Sequence, residues 1–308
     1  MEFFKKETKI PFMGLSKIAG ILSLIACLGS IALLAFKGLN FGLDFTGGTQ
    51  VELRLKHLLS PVIIKQALEK QGFHGVRAQL YGAPQDVLVR LATEVTEAKL
   101  KTGLQTALQT ITPDFEIRRV EMVGSEVGQE LSEKGGIAVL IAILSTMAYI
   151  AMRFEYRLAI SAAVGLCHDA LLILGFFSLY AIEFELSSLA AILAILGYSL
   201  NDTIVVFDRV RENFRKIRRG TASEIMNASI NQTLSRTIMT SLLTFLVALS
   251  LLLFGGEALF SFSLALCLGI IIGTYSSIFV SGTLAINLGL SKADLIIKPK
   301  LERNGELP

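Results

Sequence analysis

The chain contains no tryptophan, so any aromatic belt at a membrane interface would have to come from its 6 tyrosines. Charge is also scarce. Only 18% of the 308 residues are Asp, Glu, Lys or Arg, against roughly a quarter in soluble domains. Cysteine is limited to Cys27, Cys167 and Cys267, each inside an apolar stretch and none in the large polar insert. That distribution gives neither a disulfide framework nor metal-ligand spacing, and leaves three small buried hydrophobes. His57 and His74 likewise lack a second ligand at metal spacing and read as surface residues.

What the chain has is hydrophobicity: 52% apolar residues and a mean hydropathy of +0.60. Six stretches, 16–36, 136–153, 158–180, 187–207, 236–254 and 259–288, are candidates to cross a bilayer. Lysines precede the first, but its apolar run is long and no small-residue cleavage site ends it. It therefore reads as a retained anchor, not a removed signal. Phe is plentiful and decides little.

The basic residues orient the spans. Lys5, Lys6, Lys9 and Lys17 precede span 1, and Arg153 and Arg157 bracket the turn between spans 2 and 3. Arg209, Arg211, Arg215, Lys216, Arg218 and Arg219 follow span 4, and Lys292, Lys298 and Lys300 follow span 6. The opposite short loops, AIEFE (181–185) and GGEA (255–258), have no basic residue. This bias predicts that both termini are cytoplasmic. The organisation that follows is residues 1–37 as cytoplasmic N-terminus and span 1, 38–134 as an external domain, 135–290 as spans 2–6 with a cytoplasmic loop at 208–235, and 291–308 as a cytoplasmic tail.

The insert is long enough to fold as a small domain. Its positive and negative charges nearly cancel, which excludes a nucleic-acid module. VELRL (51–55) alternates as a strand, and SPVIIKQALEKQG (60–72) reads as a helix with a serine cap, proline at its first position and a terminal glycine. RAQLYG and DVLVRLA read as strands about a Gly-Ala-Pro turn, 94–111 as a second helix and 114–124 as a further strand. The order β-α-β-β-α-β predicts a ferredoxin-like α+β fold, so the whole is a polytopic helical membrane protein with such a domain between helices 1 and 2. Segment 124–136 returns the chain to span 2. In the cytoplasmic stretch, TASE (221–224) has capping-box spacing, and the following helix either lies on the membrane surface, against lipid, or runs directly into span 5.

Ionisable groups inside the spans are the candidate site. Asp202 lies deep in span 4, beside Asn201 and roughly 9 Å further in than Asp208, given 1.5 Å per residue. A short carboxylate cannot snorkel to the surface and is costly in a bilayer, so it should face protein or water and have a task there. Arg236 opens span 5, with Thr240 and Thr244 on its face and Thr237 and Ser241 beside it, and is the expected partner of Asp202. Three roles fit: a proton relay, a fixed Asp202–Arg236 staple, or a contact for a metal or substrate ion. His168 and Asp169 in span 3 form a second candidate pair, with adjacent side chains pointing about 100 degrees apart. Asp208 and Arg209 sit at the span edge, positioned to pair with each other or with neighbours. Gly269 and Gly273 have GxxxG spacing in span 6.

The segment FGLDFTGGTQVELR (41–54) is not explained by composition beyond a tight reversal at the membrane surface. It resembles the entry motif of the SecD/SecF family of bacterial protein-export subunits, specifically the SecF type, with Gly42, Asp44, Gly47 and Gly48 as its structural positions. GYSLNDTIVVFDRVRENFRK (197–216) and SRTIMTSLLT (235–244) are similar to that family's later signatures, as is the layout of one span, a large external domain and five spans. The wider relatives are proton-driven transporters of the resistance-nodulation-division type. The resemblance implies a non-enzymatic subunit of the bacterial inner membrane that joins a separate SecD-like chain, works with the SecYEG channel, and uses the proton gradient to move preproteins. It further implies no bound cofactor, a proton as coupling ion, and Asp202 on the proton pathway beside Arg236. The alternatives are half of a proton-coupled small-molecule exporter and a passive assembly scaffold.

Overall fold

The computed structural model describes residues 8–291 apart from 82, 94, 96, 110, 113 and 218, and the backbone alone of Glu97 and Glu257. The expected cytoplasmic tail beyond Ser291, with Lys292, Lys298 and Lys300, and also Lys5, Lys6 and Arg218, lie outside the described residues.

Among the described residues, six helices are long and apolar enough to cross a membrane. They comprise α1 (Ser16–Phe36, preceded by a 3-10 turn at Phe12–Leu15), α5 (Ser125–Arg153), α6 (Tyr156–Tyr180), α7 (Leu186–Lys216), α8 (Ala222–Phe254) and a last span built from α9 (Phe260–Tyr275), a π-helical turn (Ser276–Val280) and α10 (Ser281–Asn287). Several run further than apolar length suggests. The polar segment 125–135 is the first part of α5 rather than a separate connector, and α7 continues through its basic end to Lys216. The cytoplasmic helix joins span 5 without a break. Thr221 Oγ1 accepts from Glu224 N at 3.2 Å while Glu224 Oε2 accepts from Thr221 N at 2.9 Å, and the helix opened there runs to Phe254.

The spans α6, α7 and the last one form the interior of the bundle, with 44%, 50% and 50% of their most apolar windows buried, while α1, α5 and α8 line its outside. Glycine sets the closest approach. A Cβ at Gly269 would overlap Ile195, and one at Gly273 would lie 3.0 Å from Ser199 Cβ. Without a hydrophobic force between helices in lipid, contact of this kind carries the packing.

The insert folds as β2 (Gly48–Leu55), α3 (Pro61–Lys70), β3 (Arg77–Tyr81), β4 (Ala83–Leu91), α4 (Glu97–Leu108) and β5 (Phe115–Val123). All pairings are antiparallel, in the order β3-β4-β2-β5. Alternate residues Val51, Leu53, Leu55, Val87, Val89 and Leu91 point to one face, where they bury against Ile64 and Leu68 of α3 and Leu100, Leu104 and Leu108 of α4. The opposite face carries polar groups such as Gln50, Arg54, Asp86 and Arg90.

A joint ties this domain to the bundle. Between α1 and β2 the chain makes a two-residue strand β1 (Asn40–Phe41) and one helical turn α2 (Leu43–Thr46). Strand β1 pairs in parallel with β6 (Glu183–Phe184), so the short loop between α6 and α7 is not a free turn. Asp44 Oδ2 accepts from Leu186 N at 3.0 Å, holding the start of α7. Phe45 stacks on Phe184 at 5.8 Å, and Phe41 meets both edge-on. Gly47 and Gly48 follow at φ +64 and +114, where L side chains are strained. A Cβ at Gly47 would lie 2.7 Å from Ser125 Cα, and one at Gly48 would overlap the Leu91 carbonyl oxygen.

Gly48→Ala should therefore destabilise the protein by at least about 2 kcal/mol, through backbone strain and overlap acting together. Gly72, at φ +85 with open space around its Cβ position, isolates the strain alone, so Gly72→Ala should cost about 1 kcal/mol. Thermal unfolding of the two variants in detergent checks this; equal losses would show that close approach at Gly48 is unimportant.

Candidate functional site

Two buried carboxylates lie inside the bundle, and hydroxyl groups supply most of their hydrogen bonds. Asp202 of α7 is 3% exposed, and Asp169 of α6 is fully buried. Helix periodicity places Ser199 one turn before Asp202 on α7, and Ser199 is the residue that reaches the other carboxylate.

Asp169 is held from three sides. Ser199 Oγ donates to Asp169 Oδ2 at 2.5 Å and Ser276 Oγ to the same oxygen at 2.8 Å, while His168 Nδ1 lies 3.0 Å from Asp169 Oδ1. The adjacent pair therefore touch despite their angular separation on the helix. His168 Nε2 is buried with no hydrogen-bond partner, and its ring faces Tyr275 at 6.2 Å between centroids. Tyr275 OH donates to Ala19 O at 2.8 Å and also bonds Ser23 Oγ at 2.9 Å. This cluster thus links α6, α7, the π-helical turn of the last span, and α1. Ser276 opens that turn, and π-helical turns recur at functional positions in helices.

Asp202 has a sparser set. Ser241 Oγ of α8 donates to Asp202 Oδ2 at 3.4 Å, accepts from Tyr198 OH at 3.3 Å, and lies 2.8 Å from Thr274 Oγ1 of α9. Thr274 Oγ1 also donates to Ile270 O at 2.7 Å. Ser241 has one hydrogen, so it can serve Asp202 or Thr274 but not both. An ionised Asp202 takes that hydrogen. A protonated Asp202 donates instead to Ser241, whose own hydrogen turns to Thr274. Gain or loss of one proton therefore rewires a chain across spans 4, 5 and 6.

The expected pairing of Asp202 with Arg236 is not made. Arg236 is exposed, and no hydrogen bond or ion pair joins the two side chains, although the charge of Arg236 still acts on Asp202 through space. Thr240 also turns away: its Oγ1 donates to Arg236 O and Thr237 O of its own helix, at 3.1 and 3.0 Å. The helical stripe that starts at Arg236 lies on the outer side of α8, and the flanking residue Ser241 is the one that meets Asp202. Asn201 is exposed, about 100 degrees around α7 from the buried carboxylate. At the span edge, Asp208 pairs with Arg153 at 2.6 Å and Arg211 at 3.7 Å, while Arg209 bonds Glu212 at 2.7 Å. Ser199, Ser276, Thr274, Tyr198 and Tyr275 did not stand out in the sequence, since hydroxyls are common in membrane helices. The available signal was the three-residue spacing of Ser199 and Asp202.

The joint carries a second polar concentration. Glu183 forms an ion pair with Arg90 of β4, their side chains 9% and 11% exposed, and accepts from Gln79 Nε2 at 2.9 Å. Arg90 Nε donates to Gln50 Oε1 at 2.6 Å and Nη1 to Phe41 O at 3.3 Å. Burial raises the Glu183 carboxyl and lowers the Arg90 guanidinium from their ordinary values. Burial, then the charges of Glu183 and Asp44, raise Glu185 from its ordinary 4.5 to about 7.

The sequence matches the SecD/SecF C-terminal model of protein export membrane proteins over residues 103–291, and the SecD/SecF GG motif over residues 32–57. It is 45% identical to the protein translocase subunit SecF of Vibrio alginolyticus, covering 99% of this chain and 97% of that one. The SecF of Escherichia coli O157:H7 is 41% identical, over 94% of this chain and 89% of its own. Among solved structures, SecDF of Thermus thermophilus, described as a translocon-associated membrane protein, superposes with a TM-score of 0.84 at 34% identity; the match covers 93% of this chain and 39% of that longer one.

The shift at Glu185 has a defined sign. Its folded-state value lies above 4.5, so the stability it contributes is full below pH 4.5 and is lost as pH rises through about 7. Glu183 shifts in the same direction. The melting temperature should therefore rise as pH falls from 8 to 5, and Glu185→Gln should flatten that slope. With no tryptophan to report, circular dichroism in detergent is the measurement; an unchanged slope in the variant contradicts the assignment.

Proposed function

The chain belongs to the SecF branch of the SecD/SecF family of protein export membrane proteins, and from that premise we propose that it converts a proton gradient into movement of preproteins. It assembles with a SecD-like chain in the bacterial inner membrane and acts beside the SecYEG channel. The coupling ion is H+, and no bound cofactor is needed. Both termini are cytoplasmic, and the insert is a periplasmic domain of ferredoxin-like topology that holds the emerging polypeptide against back-sliding. The chain is a transport auxiliary, not a hydrolase.

The observation that carries this reading is Asp202: a 3% exposed carboxylate, inside an apolar span, with a hydroxyl chain and no cation at its oxygens. Carboxylates at such depth are retained for ion or proton handling. A fixed staple would require a basic partner within bonding distance, and Arg236 does not occupy that place. In this reading Arg236 acts from outside the cluster, at the face open to a partner chain. Asp169, with His168, is a second proton-binding position, connected to the first through Ser199 and the last span. Protonation of either carboxylate changes which hydroxyls serve it, and so changes how the last span seats on α7.

Asp202→Asn keeps the shape and the hydrogen bond to Ser241 but cannot release a proton. It should insert, fold and assemble with the SecD-like chain normally. In inverted membrane vesicles its preprotein transport should fall to the level of wild-type vesicles treated with an uncoupler. Proton-stimulated transport at the wild-type level would sink the proposal.

A further inference from the structure

The two carboxylate-bearing spans meet the α+β domain at their shared tip. Helices α6 and α7 are joined by residues 181–185, and this tip is fastened to the domain, not left in solvent. Its backbone pairs with β1, Asn40 with Glu183 and Phe41 with Phe184. Asn40 Nδ2 donates to Ala181 O at 3.0 Å. From the domain, β4 supplies Arg90 to the Glu183 ion pair and β3 supplies Gln79 to the same carboxylate. Arg77 Nη1 of β3 donates to Asn40 Oδ1 at 3.3 Å.

The covalent connections lead to other helices, although the entry passes through β1 and α2 of the same joint. The chain enters the domain from α1 and leaves it into α5, and these are peripheral: 17% and 11% of their most apolar windows are buried, against 44% and 50% for α6 and α7. Neither carries a carboxylate of the Asp169 or Asp202 clusters. A rearrangement around those clusters therefore moves α6 and α7 first, and meets the domain at their shared tip.

We propose that the Arg90–Glu183 contact is the link that transmits rearrangement of α6 and α7 to the α+β domain, making Glu183, Arg90 and Gln79 positioning residues for the transport cycle. This rests on the proton-coupled reading of Asp202. The contact suits the task. A buried ion pair contributes little net stability, but losing one partner strands the other charge in a poorly solvated place, so the pair holds a single arrangement of the joint. Gln50 and Gln79 fix the two side chains from the flanking strands. Upward displacement of the Glu183 carboxyl by burial agrees with a poorly solvated contact.

The test uses the full chain in complex with its SecD-like partner, in lipid, with native cysteines replaced. Spin labels at Lys70→Cys in the domain and Phe254→Cys at the end of α8 report the domain's position. Asp202→Asn should shift the distance distribution relative to wild type. Adding Glu183→Gln should abolish that shift, and Glu183→Gln alone should lower proton-stimulated transport to the Asp202→Asn level without loss of the complex. Arg54→Gln breaks an ion pair with Asp86 on the same sheet but away from the joint, and should leave both readouts intact. Should Glu183→Gln fail to accumulate, Gln79→Leu removes only one hydrogen bond to Glu183 and should give a partial loss of both.

A shift that persists in Glu183→Gln or Gln79→Leu with full transport overturns the inference. So does the absence of any shift between wild type and Asp202→Asn, and this leaves the proton reading standing if transport is lost. Normal transport in Asp202→Asn removes the proton reading and the inference with it.

Discussion

The constraint on which the bundle depends is that a carboxylate inside it has no water to rely on. In an apolar medium every polar group must find its partner within the protein. Asp169 finds three and Asp202 finds one donor that is itself shared. The spans that supply the partners of Asp169, α6, α7 and the last one, are also the most buried, while the donor to Asp202 comes from the outer helix α8. The glycines that let the last span approach α7, Gly269 and Gly273, lie on the same face as Ser276, whose hydroxyl reaches Asp169. Close packing and polar satisfaction are thus linked: move the last span outward and Asp169 loses Ser276, while Ser241, the donor to Asp202, loses Thr274.

The same economy of partners governs the joint. Asp44 accepts from the first amide of α7, whose unpaired N–H groups favour an acceptor there. Glu185 caps the same helix through Ser188. Three acidic side chains, Asp44, Glu183 and Glu185, are then crowded around Arg90, and the charges of the first two push Glu185 upward. Gly47 and Gly48 exist in this setting because the chain must turn beneath β4 and past the start of α5, where a side chain would collide with backbone. The motif at residues 42–48 is therefore a fastening between three backbone segments.

Length and apolar run made the six spans legible, and alternation and capping made the elements of the insert legible in order. Their boundaries were less so. The polar start of α5 is helical although Gly128, Gly135 and Gly136 weaken a helix; Gly128 packs against Gly47 of the joint, a contact that apolar counting does not see. The depth of Asp202 was readable from helix rise, and the existence of a second buried carboxylate from its apolar neighbours. Their partners were not. Asp169 is bonded by Ser276, 107 residues away, and β1 pairs with a loop more than a hundred residues downstream; neither contact leaves a periodic trace. Arg236 misled for a related reason. Four-residue spacing correctly puts Arg236, Thr240 and Thr244 on one face, but spacing does not say which way the face points. Tertiary packing points it outward, and Ser241 inward.

That outward face completes the physical picture. Arg236 lies on α8, of which only 17% of the most apolar window is buried, and α1 and α5 are exposed to a similar degree. An arginine on such a surface is costly against lipid tails at depth, and near the helix end it can snorkel. Either condition is met by another protein surface more fully than by lipid. In the proposed proton-coupled reading the interior carboxylates and the exterior arginine have different tasks: the first hold or release a proton within this chain, and the second offers a fixed positive charge toward a partner chain. In that reading Asp202 changes charge without breaking a direct ion pair, although the charge of Arg236 still acts on it through space.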